Sequence, residues 1–196
     1  NGLKKLVDSC HRQGMAVILD VVYNHIGPEG NYLHEFCPFF TDRYHISWGW
    51  AVNFDGPFSD GVRNFFIQNA LYWLEHFHID ALRLDAVHGI YDFSATPFLK
   101  QLAEKVRQFS LSLGREFYLI AESDFNDSRI IDSRERGGFE LHAQWSDDFH
   151  HSVHTLLTKE QGGYYADFGS LEHLKKCYTH KMVYDGIYSP YRKRTF

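Results

Sequence analysis

The chain has 196 residues, 44% hydrophobic and 23% charged, enough for a substantial buried core and too apolar for a disordered polymer. Its formal charge of −5 is spread without a long single-sign block, which argues against nucleic acid as a partner, and no apolar run approaches the roughly 20 residues that cross a bilayer. Cys10, Cys37 and Cys177 are widely spaced without CxxC pairing, so neither a disulfide framework nor a thiolate zinc site is expected, and the compartment reads as reducing and cytoplasmic.

Leu3, Leu6, Val7 and Cys10 recur at helical spacing and Gly14 follows as a stop, which predicts a helix over residues 2–13. A strand over Ala16–Tyr23 comes next. The stretch from Asn24 to Ser59 holds Gly27-Pro28, Gly30, Pro38, Gly49 and Gly56-Pro57 and reads as one long irregular connection, of the kind that usually carries function. Val62, Phe65, Phe66, Asn69, Leu71 and Leu74 mark an amphipathic helix over Asp60–Phe77, capped by Ser59 or Asp60. A second strand over Ile79–Asp85 leads to a loop and a helix over Thr96–Leu113, stopped by Gly114. A third strand spans Phe117–Glu122, and a weaker one Phe139–Trp145. Helices follow over Asp147–Leu157 and Ser170–His180, and the tail Lys181–Phe196 has no assigned class.

Strand and helix alternate throughout, which favours α/β architecture around a parallel sheet with right-handed crossovers. Three strands end on polar groups: Asp20 with Asn24-His25, Arg83-Leu84-Asp85 with His88, and Glu122-Ser123-Asp124. A charge where a buried strand surfaces is costly to desolvate and persists mainly where it is paired or performs chemistry. A row of such groups along one sheet edge is how a (β/α) barrel builds an active site. Four strands fall short of a closed barrel, so the chain reads as the middle of a larger domain with unpaired sheet edges.

Two carboxylates on neighbouring strand ends suit retaining glycoside hydrolysis, which needs them about 5–5.5 Å apart, and parallel strands spaced about 4.8 Å supply that separation. Arg83 lies two residues before Asp85 and so on the same strand face, able to hold that acid ionised as the nucleophile. Glu122 is left to donate the proton. The same residues also admit a structural reading, an ordinary Arg83–Asp85 ion pair with Glu122 capping the next segment. His25 and His88 each follow a strand acid, where neutral imidazoles can bond sugar hydroxyls. A zinc site from His25, His45 and His88 lacks ligand spacing, and His150-His151 reads as a helix face. Neither a phosphate-binding glycine loop nor a GxSxG elbow is present.

Asp20-Val21-Val22-Tyr23-Asn24-His25, Leu82-Arg83-Leu84-Asp85-Ala86-Val87-His88 and Ile120-Ala121-Glu122 resemble, in order and spacing, successive signature regions of the alpha-amylase superfamily of glycoside hydrolases. The stretches from Asn24 to Tyr32, Asn53 to Pro57, Ala121 to Asp124, Gln144 to His151 and Tyr164 to Gly169 are similar to a trehalose-releasing branch of it. The resemblance implies a partial (β/α)8 TIM barrel over residues 1–196, about the third to sixth β/α units, truncated at both ends. It implies Asp85 as nucleophile, Glu122 as general acid/base, and Asp20, His25, Arg83 and His88 as shapers of the subsite that holds the sugar under attack. The implied reaction cleaves the α-1,4 bond beside the terminal trehalose of a maltooligosyltrehalose, an oligosaccharide substrate, with no cofactor and no calcium. The superfamily's third carboxylate, an Asp in an Asn-His-Asp motif, is not within the sequence, and these residues alone are expected to be inactive. Trp50 stands where the pattern implies a small or acidic residue. A glycogen branching enzyme and a noncatalytic carbohydrate-binding protein are the competing expectations.

Overall fold

The computed structural model describes residues 1–196, and its first helix, α1 (Gly2–Arg12), buries Val7 and ends where Gly14 adopts a left-handed φ of 73°. β1 covers Ile18–Val21, shorter than the expected Ala16–Tyr23, because its partner strand offers only four residues of ladder. The connection from 24 to 59 is not irregular throughout. It folds β2 (Phe40–Ile46) antiparallel on β3 (Gly49–Val52), with a register shift between Thr41 and His45. The polar run Thr41-Asp42-Arg43 masks this strand, since most of β2 is half-buried or exposed and lacks an alternating apolar face.

α2 (Ser59–His76) is preceded not by a polar cap but by Phe58 in the left-handed region at φ 61°. Asn53 builds that entry: its Oδ1 accepts from Gly56 N at 2.8 Å and its Nδ2 donates to Pro38 O and Pro57 O at 2.9 and 3.1 Å. β4 (Ala81–Leu84) and α3 (Phe98–Leu113) follow, the helix closing on Gly114 at φ 61°. β5 spans Tyr118–Ser123, and β6 covers Ala143–Ser146 rather than Phe139–Trp145. Glu140 at φ 64° breaks the extended run, and Leu141 bonds Ile130 O instead of a ladder partner.

The chain divides into two compact units, residues 1–122 with 128–144, and residues 123–127 with 145–196. In the first, the sheet order is β1-β4-β5-β6, with β1, β4 and β5 parallel and Val21, Leu84 and Ala121 aligned in register. α2 and α3 cross over between successive strands, the βαβ pattern that the alternation implied. Leu82, Leu84, Leu119 and Ala121 are buried against Phe66, Ile67, Leu74, Phe98, Leu102 and Val106 from the two helices. At the strands' N-terminal ends Asp80 ties three segments together, accepting from Val17 N at 2.7 Å, His11 Nε2 at 2.8 Å and Arg115 Nη2 at 2.6 Å. Burial opposes the charge on Asp80, but these donors outweigh it and hold its carboxyl below the ordinary range.

The second unit pairs α4 (Asp147–Thr158) with α5 (Leu171–His180), capped by the hydroxyls of Ser146 and Ser170. Buried Asp148 gathers donors from Asn126 Nδ2, Val183 N and Tyr184 N, fixing the start of the tail. The tail then forms β7 (Tyr188–Ser189) antiparallel to β8 (Arg194–Thr195), and Asp167 accepts from Tyr184 Oη, Ser189 Oγ and Tyr191 N. No helix is long and apolar enough to cross a membrane.

Candidate active site

Register alone brings the strand-end acids together. Asp85 follows Leu84 and Glu122 follows Ala121, and those two are ladder partners, so both acids leave the same end of neighbouring strands. Asp20 on β1 is aligned with Arg83 on β4. The Arg83 guanidinium unites all three carboxylates: Nη1 donates to Asp20 Oδ1 at 2.8 Å and to Asp85 Oδ1 at 2.7 Å, and Nη2 lies 3.6 Å from Glu122 Oε2. Its side chain is 12% exposed, so burial opposes the charge, yet the bonds to Asp20 and Asp85 hold it above its ordinary value. A permanently charged fork amid three acids lets them crowd into one small volume.

Glu122 also takes a hydrogen bond from the backbone. After Asp85 the backbone turns through Ala86 at φ 40°, and the Ala86 N–H donates to Glu122 Oε2, 2.6 Å away. Buried Asn24 supports Asp85, its Nδ2 donating to Asp85 Oδ2 at 3.0 Å and to the Asp85 carbonyl at 2.8 Å. Asn24 Oδ1 then receives the Nδ1–H of His25 at 2.6 Å, which leaves His25 Nε2 as an acceptor in the neutral ring. The indole of Trp48, at the hairpin tip, stacks on the His25 ring at 5.1 Å and 6°. His88 sits on the one-turn helix Val87–Gly89. That turn is wedged against Asn24, because a Cβ at Gly89 would stand 3.3 Å from Asn24 Cβ.

Asp20, Arg83, Asp85 and Glu122 therefore form one charged cluster, with His25 joined to it through Asn24, while His88 is on the turn that follows Asp85. Sequence reasoning gave neither Asn24 nor the Ala86 N–H a role in the site. The Asn24-His25 dipeptide was the available signal for the first, whereas a backbone N–H leaves none. His45 lies on β2, and no group of three or more His, Cys, Asp or Glu side chains gathers to hold a metal ion. His150 and His151 lie on α4, as expected of a helix. His151 is buried there, stacked on Tyr164 at 5.6 Å, and its burial pushes the imidazole below its ordinary range.

No family model matches the chain. It is 47% identical over 195 residues to the malto-oligosyltrehalose trehalohydrolase of Saccharolobus solfataricus, covering 100% of this chain and 34% of that protein. It is 49% identical over 191 residues to the enzyme of the same name from Arthrobacter ramosus, covering 97% and 33%. The chain thus spans about a third of the length of the curated relatives it matches. A crystal structure of a putative alpha amylase from Salmonella typhimurium superposes with a TM-score of 0.87 at 36% identity, over 98% of this chain and 33% of that one. By sequence and by fold the chain belongs to the alpha-amylase superfamily, where it is similar to the malto-oligosyltrehalose trehalohydrolases.

Proposed function

We propose that these residues form part of a retaining glycoside hydrolase that releases trehalose from a maltooligosyltrehalose by cleaving the α-1,4 bond beside the terminal trehalose unit. The domain is a partial (β/α)8 barrel containing about its third to sixth units. The exposed apolar Ile18 and Val22 beside the outer edge of β1 support this, since a neighbouring strand and helix cover such side chains in a closed barrel.

The observation that carries the reading is the single guanidinium of Arg83 held among Asp20, Asp85 and Glu122 at one end of a parallel sheet. In this mechanism Asp85 attacks the anomeric carbon as the bond to the leaving oxygen breaks, and Glu122 protonates that oxygen. The Ala86 N–H donates to Oε2, and the Arg83 guanidinium faces that same oxygen, so the transferable proton belongs on Oε1. Water then enters, Glu122 takes its proton, and the Asp85 ester is released. Asp20, His25, Arg83 and His88 shape the subsite for the sugar under attack. The names of the curated relatives supply the substrate class. A cytoplasmic setting fits the three free thiols.

The test is incubation of a chain of the relatives' length, carrying these residues, with a maltooligosyltrehalose. Free trehalose is the expected product. New α-1,6 branches instead make it a branching enzyme, and tight binding without either product makes it a binding protein.

A further inference from the structure

The loop that joins β4 to α3 carries Asp85, the Ala86 N–H and His88, and its far end is gripped by a second guanidinium. Arg63 on α2 and Asp92 in the loop have side chains only 8% and 3% exposed. Arg63 Nη1 donates to Asp92 Oδ2 at 2.9 Å, to Ser94 Oγ at 3.2 Å and to the Phe54 carbonyl at 2.8 Å. Nη2 reaches the Thr96 carbonyl at 2.6 Å, and Nε reaches Gln101 Oε1 at 2.7 Å. Asp92 in turn accepts from Ser94 N at 2.9 Å and Phe98 N at 2.5 Å. Beside it Asp55 accepts from Phe93 N at 3.1 Å and Tyr44 Oη at 2.7 Å, and the Tyr44 ring stacks on Tyr91 at 5.2 Å.

A buried ion pair is a poor way to gain stability, because a well-packed apolar replacement often does as well. A fork whose three nitrogens are all engaged instead fixes geometry. Here the fixed object is a short span of chain. Only Ile90 and Tyr91 separate Gly89, wedged on Asn24, from Asp92, so a shift at the Arg63 end reaches the His88 turn directly.

We propose that Arg63 is a positioning residue for the reaction, setting through its grip on Asp92, Ser94 and Thr96 where His88 stands over the substrate pocket. The inference rests on the hydrolase reading, and only the loop's exchange behaviour can be read without it.

In a chain of the relatives' length, Arg63→Lys keeps a charge for Asp92 but loses the fork. Displacement of a contact by about 1 Å costs up to about 100-fold in rate, so kcat for trehalose release is expected to fall at least about tenfold. The same substitution made in a His88→Ala background is expected to change kcat by less than about twofold, because coupled residues are non-additive. Equal losses in both backgrounds give Arg63 a merely structural role and overturn the proposal. Gln101→Leu, which removes one bond and no charge, carries the same cycle if Arg63→Lys does not fold. Hydrogen exchange supplies an arm independent of activity: the amides of Ile90, Tyr91 and Ser94 are expected to exchange faster in the variant, with Leu82 and Leu119 unchanged. Unaltered exchange in the loop refutes the latch. Absence of trehalose release by the unmodified chain refutes the hydrolase reading and leaves the exchange measurement to decide the latch.

Discussion

The backbone N–H of Ala86 lies 2.6 Å from Glu122 Oε2, so the residue after one acid of the cluster holds the side chain of the other. The bond sits where the chain leaves β4, at an Ala86 whose φ of 40° lies in the left-handed region. Asp85 and Glu122 are thereby coupled through main chain as well as through Arg83, and a change at either acid is felt by its neighbour.

Glu122→Gln keeps the size and the acceptor for Ala86 but cannot release a proton. Trehalose release in a chain of the relatives' length is expected to fall by about 100- to 10,000-fold, the range for loss of a general acid. Binding of the oligosaccharide, read by calorimetry, is expected to persist. Turnover within a factor of a few of the parent removes Glu122 from this role.

Arg83→Lys retains the charge and loses the fork that spans three carboxylates. Arg83→Ala leaves those acids without their common cation, and breaking such a pair by removing one partner costs about 3–5 kcal/mol where it is fully buried and less in this partly open cluster. Activity is expected to be lost in both variants, with the melting temperature lowered more by Ala than by Lys. An equal melting temperature for Arg83→Ala and the parent is the result that counts against a shared cation.

Gly89→Ala introduces a methyl group 3.3 Å from Asn24 Cβ, tighter than ordinary contact. Asn24 must retreat by a few tenths of an ångström, and its bond to Asp85 Oδ2 lengthens with it. The expected outcome is a several-fold loss of kcat, of the size that small misplacements cause, with melting changed by only a few degrees. Crystallography of the variant checks whether Asn24 has moved.

His142 supplies a pH effect on stability. Leu119 N donates to its Nδ1 at 3.0 Å, and burial holds the imidazole below its ordinary range despite nearby Glu116 and Glu140. Above the unfolded value near 6.5 both states are neutral and the contribution is full. As pH falls below it the unfolded chain takes up the proton first, so stability declines until the folded-state value is passed. Melting measured from pH 8 down to 5 should show this decline, and His142→Gln, which keeps an acceptor, should make it shallower; His151, whose shift has the same sign, contributes in the same direction.

The alternation of helix and strand in the first unit was legible because its signals are local. Leu82, Leu84 and Leu119 on short apolar runs, the helical spacing around Phe66 and Ile67, and Gly114 at a C-terminus each report on nearest neighbours along the chain. The acids were legible because carboxylates at strand ends are conspicuous. The β2–β3 hairpin was not, since Thr41-Asp42-Arg43 offers no apolar alternation, and neither was the start of α2, which Asn53 organises from six residues away. Glu140 at φ 64° defeated the Phe139–Trp145 strand, because a lone left-handed residue leaves no mark on hydrophobic period. The Arg63 latch was invisible for a further reason: its partners lie between 9 and 38 positions away.

The two strands of the hairpin bond one another, and its insertion points, Phe39 and Phe54, are each 1% exposed and anchored in the core. A segment with internal ladder bonds and two buried roots behaves as a cassette: its tip can be lengthened, shortened or exchanged while the parallel strands keep their alignment. Changes in the stretch around Trp48 and Trp50 can therefore accumulate at little cost to the scaffold beneath.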